Sequence, residues 1–292
     1  MLQDNQGGLN MAIFFNQATL SYNDTVTNSN IVTGEIIGAL SAAKTAVSET
    51  YTTGDTVTYI ISLVNTGTAA ITGVTITDDL GAYEFGGNTV TPLTYVDGAV
   101  RYYANGTLQE APDVTAGPPL VISGITVPAG GNALIVYSAT VNSFAPISEG
   151  SEITNTAVIT GTADPITVTE TITAENEARL TITKALFPET VTENGELTYT
   201  FTIRNFGSEP LVATDDAVVT DNFDPILDIS SVTFNGAAWT EPENYTYNEA
   251  TGAFATVAGQ ITVPAATVTQ DPATGEWAVQ PGVAVLRVVG TV

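Results

Sequence analysis

A chain of 292 residues has room for two ordinary domains and a tail, and 43% hydrophobic residues supply enough apolar surface for two cores. It contains neither cysteine nor histidine, which excludes thiol nucleophiles, disulfides, histidine-based triads and His/Cys zinc sites. Six basic residues against 31 acidic ones leave a net charge of −25, a surface that repels nucleic acid and anionic membranes and favours solubility. Thr, Val and Ile are abundant, turn residues recur at short intervals and helical periodicity is scarce, so the fold class is all-β. No apolar run approaches the roughly 18–20 residues that span a bilayer. No cofactor and no metal are expected.

In chain order, residues 1–12 read as a flexible leader. The start, MLQDNQGGLNMAIFF, lacks the positive segment and the sustained apolar stretch of a secretory signal, and Met11-Ala12 reads as an alternative start. No wall-sorting tail is visible at the other end. A protein of this composition is expected outside the cell or on a cell or spore surface, reached by another route such as lysis of a mother cell.

Residues 13–37 form the next segment, and its meaning emerges from an internal repeat. Residues 40–65 align without gaps on 180–205, placing Lys44 on Lys184, Tyr59 on Tyr199 and Asn65 on Asn205. A three-residue insertion then places Thr77-Asp78 on Thr220-Asp221, ITVP recurs at 125–128 and 261–264, and LIVYSATV (ending at Val141) matches VLRVVGTV (ending at Val292). The first copy, residues 38–175, continues past Val141 with EITNTAVIT (152–160) and PITVTETIT (165–173). The second, residues 176–292, has no such continuation. Its counterpart lies at the N-terminus, where Asn16 falls on Asn155: Asn16 precedes Lys44 by 28 residues and Asn155 precedes Lys184 by 29. Residues 13–37 therefore read as a donor strand or hairpin, with Phe14, Asn16, Ala18, Leu20 and Tyr22 along its inward face. Each copy has strands of 5–9 residues with Asn-Gly and similar turns between them, which predicts two tandem immunoglobulin-like Greek-key β-sandwiches, the second incomplete. The stretch QDPATGEW (270–277) reads as a hairpin inserted only in the second copy.

Lys-Thr-x-Val, Gly-Asp-Thr-Val-Thr-Tyr, Val-Asn-Thr-Gly, Val-Thr-Ile-Thr-Asp and Ile-Thr-Asn-Thr-Ala together resemble the bacterial surface repeats known as domain-of-unknown-function 11, most fully over residues 40–160. The resemblance implies a sandwich module of surface proteins and stalks rather than an enzyme. No nucleophile elbow or glycine-rich phosphate loop is present.

Strand alternation turns three polar residues of each copy inward: Lys44, Asp78 and Asn155 in the first, and Lys184 and Asp221 in the second, with Asn16 as the stand-in for the missing asparagine. Buried charges are costly unless paired or neutralised. Three readings are open. The first is a self-formed isopeptide crosslink, as in Gram-positive pilin and adhesin domains, with Asp78 and Asp221 assisting attack of Lys44 on Asn155 and of Lys184 on Asn16 of a neighbouring subunit. The second is a buried Lys–Asp ion pair. The third is a lysine that snorkels from an edge strand. Asp215, Asp216, Asp221 and Asp224 match no calcium loop and read as solvated acids. Trp239 and Trp277 read as packing residues. Two functions follow as expectations. One is a structural filament subunit that polymerises with itself by donor-strand exchange; the other is a surface adhesin or spacer that binds a host or surface ligand.

Overall fold

A computed structural model of the chain describes residues 11–162 and 164–292, with the side chains of 11–13 and 35–37 set aside. The first ten residues of the expected leader thus lie outside the described residues. The described chain is all-β, with one short 3-10 turn at Ala213–Asp215, and no helix in it is long and apolar enough to cross a membrane. It divides into two compact units, the first built chiefly from residues up to Pro146 with Ser151–Ala174, the second from Glu175–Asp271 and Trp277–Val292.

The first unit is a sandwich whose inward residues alternate along each strand. Val57, Tyr59, Ile61 and Leu63 of the strand Thr56–Asn65 are buried, as are Ala133, Ile135, Tyr137 and Ala139 of Asn132–Val141. In one sheet Thr56–Asn65 lies between Asn132–Val141 and the edge strand Leu40–Ala46, here called the lysine strand, with Tyr59 opposite Tyr137 and Lys44 opposite Ile61. In the other sheet the aspartate strand, Ile71–Asp78, has a neighbour on each side: Leu120–Val127 and Glu152–Thr160. Glu152–Thr160 continues into a closing hairpin with Ile166–Ala174, Asn155 standing opposite Glu170. Side chains from both sheets form one core, including Ile61, Ile76, Ile122 and Ile159.

The second unit repeats this plan up to a point. Its lysine strand, Leu180–Phe187, pairs with Glu196–Asn205 in the same register as in the first unit, Lys184 opposite Phe201 and Leu180 opposite Asn205. Gly282–Thr291 follows, with Val288 opposite Tyr199. Its aspartate strand is only Thr220–Asn222. It is the edge of a three-stranded sheet, paired with Ala253–Thr256 and with no strand on its other side among the described residues. A hairpin of Thr267–Gln270 with Trp277–Gln280 flanks the 271–276 segment, as the sequence predicts for an insertion there.

The N-terminal segment is a hairpin rather than one long strand. Met11–Asn16 pairs with Val32–Ile37 and Thr19–Tyr22 with Thr25–Asn28, turning at Asn23 and Asp24, both at positive φ (44° and 60°). Asn and Asp tolerate this left-handed conformation, and a two-residue turn of that kind matches strand twist.

Two asparagines tie the ends of both lysine strands. Asn65 donates from Nδ2 to the carbonyls of Ala69 (2.8 Å) and Pro128 (3.0 Å) and accepts from the Gly67 N–H (2.9 Å). Asn205 donates to Glu209 O (2.7 Å) and accepts from Arg179 and Gly207 N–H, both at 2.9 Å. The glycine is required: a Cβ at Gly207 would sit 1.9 Å from the Glu177 carbonyl oxygen. Both asparagines are buried, so truncation leaves several polar groups unpaired at about 1–3 kcal/mol each. Asn205→Ala is expected to destabilise the second unit by about 2–3 kcal/mol, read as a lower urea midpoint for that unit with the first unit unmoved.

Candidate functional site

In the first unit the lysine strand, the aspartate strand and the closing hairpin converge on one dry cluster. Lys44 and Asp78 have side chains 0% exposed and form an ion pair, Nζ to Oδ2, at 2.7 Å. Lys44 Nζ also donates to the backbone oxygen of Asn155 at 2.9 Å. Asp78 is fully engaged. Its Oδ2 accepts from Lys44 and from the Tyr137 hydroxyl (2.6 Å), and its Oδ1 accepts from the Leu80 N–H (3.0 Å). Asn155, also 0% exposed, donates from Nδ2 to the Tyr137 oxygen at 3.1 Å. The ring of Tyr137 stacks on Tyr59 at 5.5 Å between centroids, and Lys44 Nζ lies 5.0 Å from the centre of the Tyr59 ring.

The electrostatics follow from burial. Desolvation lowers the Lys44 pKa below its ordinary value, and the Asp78 carboxylate is the strongest opposing influence. Burial pushes the Tyr137 and Tyr59 hydroxyls up. At Tyr59 the nearby Asn155 amide is the largest opposing effect, although neither the Tyr59 oxygen nor Asn155 Oδ1 has a hydrogen-bond partner among the described residues. A buried amide oxygen without a donor is costly in the resting state.

The second unit builds the same pair in the open. Lys184 and Asp221 make an ion pair, and the ammonium lies over Tyr199, 4.3 Å from its ring centre. The Lys184 side chain is nevertheless 38% exposed, against 0% for Lys44. Its whole strand is bare: Leu180, Ile182 and Leu186, counterparts of the buried or half-buried Leu40, Ala42 and Ala46, are exposed, Ile182 to 53%. Beneath it lies an apolar groove of about 180 Å³ lined by Leu180, Ile182, Ile203, Leu211, Val219 and Ile261. Ring stacking also differs, because Tyr199 packs on Phe223 at 5.0 Å and the counterpart of Tyr137 is Val288.

Asn16 stands at the end of Met11–Asn16 opposite Val32 and is exposed, as are Phe14, Ala18, Leu20 and Tyr22 of the same hairpin. Counted from Asn16 and Asn155, Leu20 falls on Ile159 and Thr27 on Ile166, and each of these is a cross-strand pair. The hairpin therefore carries the register of the closing hairpin through its outer half. In its inner half the return strand is offset by one residue. Of the other residues singled out, Asp215 accepts from the Val212 N–H at 2.8 Å and Trp239 stacks on Phe234 at 4.9 Å. Tyr137, bonded to both Asp78 and Asn155, is the member of the cluster that sequence reasoning missed.

No family model matches the chain, and no curated protein matches it. Solved structures similar to it include the pilus backbone RrgB from Streptococcus pneumoniae, 14% identical over 83% of this chain and 55% of that one, with a TM-score of 0.34. A 35 kDa C-terminal fragment of the major pilin GBS80 of Streptococcus agalactiae is 13% identical over 82% of this chain and 90% of the fragment, TM-score 0.33. The major pilin subunit BcpA of Bacillus cereus is 12% identical over 92% and 73%, TM-score 0.33. The chain thus spans about half the length of the first of these. At such scores the functional reading rests on this chain's own residues.

The buried hydroxyls set an alkaline limit. An unfolded tyrosine loses its proton near pH 10.0, whereas burial holds the protons of Tyr51, Tyr59 and Tyr137 to higher pH. Their contribution is intact below pH 10 and is lost as pH rises through the folded values, by up to about 1.4 kcal/mol per pH unit per residue. Lys44 acts in the opposite sense only below its unfolded value of 10.5. Above pH 10.5 the first unit should lose stability steeply, and Tyr59→Phe should flatten that slope in urea melts run from pH 10.5 upward. An unchanged slope would contradict this assignment.

Proposed function

We propose that this chain is the structural subunit of an extracellular bacterial filament, in which the N-terminal hairpin of one copy closes the second unit of the next. The observation that carries the reading is a matched pair of vacancies. An exposed hairpin that keeps the register of Glu152–Thr160/Ile166–Ala174 through its outer half accompanies a bare lysine strand and an aspartate strand that lacks a partner on one side among the described residues. In the first unit Ala157 pairs with Asp78 and Ile159 with Ile76. By the same register Ala18 of the donor pairs with Asp221 of the acceptor and Leu20 lies beside Val219, at the apolar groove. Main-chain bonds to the free edge supply affinity and alternate side chains fill the groove. Burying Leu20, 61% exposed in the free chain, contributes on the order of 1.5–3 kcal/mol. Donor and acceptor are different surfaces, so the contact repeats into an open fibre.

The chemistry we assign to the two clusters is amide-bond formation between lysine and asparagine, Lys44 with Asn155 inside the first unit and Lys184 with Asn16 across the junction. Burial favours the neutral amine that such attack needs. At the junction, the arriving hairpin would remove Lys184 and Asp221 from water just as its counterpart does for Lys44 and Asp78.

Electron micrographs of the purified full chain should show long unbranched fibres, and boiling in denaturant should leave a ladder of multimers. Deleting residues 11–37, or changing Leu20→Asp, should yield a soluble monomer. Lys184→Ala should still form fibres that now dissociate on boiling. Wild-type chain that stays monomeric, or a deletion variant that still polymerises, would overturn donor-strand assembly.

A further inference from the structure

Resting on the assignment of Lys44 and Asn155 as crosslinking partners, we propose that Tyr137 is the acid that delivers a proton to the departing ammonia, so that the first unit's centre is a proton relay and not only a lysine–aspartate–asparagine trio. An amide cannot expel its nitrogen as an anion, so Asn155 Nδ2 must be protonated before the C–N bond breaks. The site is dry, with Lys44 and Asp78 side chains and Asn155 unexposed. Among the described residues the one hydrogen bond of Nδ2 runs to the Tyr137 oxygen, at 3.1 Å. The Tyr137 hydroxyl in turn donates to Asp78 Oδ2 at 2.6 Å, and that same oxygen accepts from Lys44 Nζ at 2.7 Å. Three contacts thus join the attacking nitrogen to the leaving nitrogen without a gap.

The steps balance. The Lys44 ammonium passes one proton to the Asp78 carboxylate and becomes a neutral amine. The amine attacks Asn155 Cγ, forming the new C–N bond and an oxyanion at Oδ1. Tyr137 gives its proton to Nδ2 and is replenished by the Asp78 carboxyl, which then takes a second proton from the former amine nitrogen. Collapse of the oxyanion breaks the old C–N bond and releases ammonia. Of the three ammonium protons, one remains on the amide nitrogen, one leaves with ammonia and one rests on Asp78. No oxidant, reductant or further reactant is needed.

The second unit shows that the hydroxyl is not dictated by the fold. Val288 stands opposite Tyr199 where Tyr137 stands opposite Tyr59, and it is fully buried. Packing therefore accepts an aliphatic residue at this place, while the first unit has a phenol hydrogen-bonded to both Asn155 and Asp78.

The test is a time course of the full chain made by cell-free synthesis, quenched in denaturant and digested, scoring the Lys44–Asn155 linked peptide by its loss of one ammonia. Folding is followed in the same samples by protease resistance. Wild type should crosslink, and Tyr137→Phe should fold yet crosslink more slowly by roughly 10²-fold, the usual size of a general-acid contribution. Tyr102→Phe, which removes a buried hydroxyl outside the cluster that donates to the Thr126 carbonyl, should stay within a few-fold of wild type. Should Tyr137→Phe fail to fold, 3-fluorotyrosine at position 137 decides the matter, since it retains the hydroxyl but is more acidic. It should shift the pH–rate profile, and an unshifted profile would overturn the relay. Wild-type speed in a folded Tyr137→Phe would also overturn it while leaving the crosslink standing. Absence of ammonia loss in wild type would remove the crosslink and the relay together.

Discussion

A lysine and an aspartate can be held out of water in a β-sandwich only when something seals the edge where they meet, and in this chain the seal is a hairpin. In the first unit the strands Glu152–Thr160 and Ile166–Ala174 cover Lys44 and Asp78 completely. Taking two ions from water costs several kcal/mol each after relaxation, and their attraction offsets that only with good geometry and satisfied hydrogen bonds. Asp78 meets the condition with three donors: Lys44, Tyr137 and the Leu80 N–H. Without the hairpin the pair is an ordinary surface contact, and the second unit displays that state at Lys184 and Asp221.

The same hairpin decides which apolar surface is buried. Leu40 and Ala42 are buried in the first unit, where that hairpin is in place, whereas Leu180 and Ile182 stand exposed in the second. An exposed aliphatic strand face beside a free strand edge is an aggregation hazard unless a specific partner covers it. The exposed lysine strand of the second unit and the exposed N-terminal hairpin each carry that hazard, and the proposed docking would remove both. Charge and apolar area therefore act in the same direction. In the proposed junction, the event that dries the Lys184–Asp221 ion pair would also close the core of the second unit.

Much of this was legible in the residues. The offset that aligns Lys44 with Lys184 and Asn65 with Asn205 is reproduced by strand register, because each anchors a structural feature that tolerates little drift: an inward cation and a buried asparagine that ties a turn. Alternation put Lys44, Asp78 and Asn155 on inward faces, and all three are buried. Tyr137 escaped notice for a physical reason. In LIVYSATV an inward tyrosine reads as one more core aromatic, and its counterpart Val288 hides the hydroxyl in any comparison of the two copies. The hydroxyl's partners come from strands distant in sequence, so only the fold reveals them. The break of the N-terminal segment into two strand pairs also escaped, because a one-residue offset in the return strand leaves no mark on the alternation from Phe14 to Tyr22.

In the proposed fibre, the order of elements along the chain would make the polymer an extension of the protomer. Each lysine strand is preceded by a hairpin, Glu152–Thr160 with Ile166–Ala174 before Leu180–Phe187, and the N-terminal hairpin before Leu40–Ala46. Within the chain that hairpin closes the unit before it rather than the unit after it. In the proposed fibre, the same rule would place the N-terminal hairpin on the second unit of another copy, where the aspartate strand has no partner on one side among the described residues and the lysine strand is exposed. With tethers of 28 and 29 residues from asparagine to lysine, the spacing of units across a junction would equal the spacing within a subunit. A pull along such a fibre would load the hairpin strands along their length, shearing many main-chain bonds together. An amide bond between the first and last elements of each sandwich would then carry the load past those hydrogen bonds, which gives the placement of the lysine on an edge strand and the asparagine on the closing hairpin a mechanical sense.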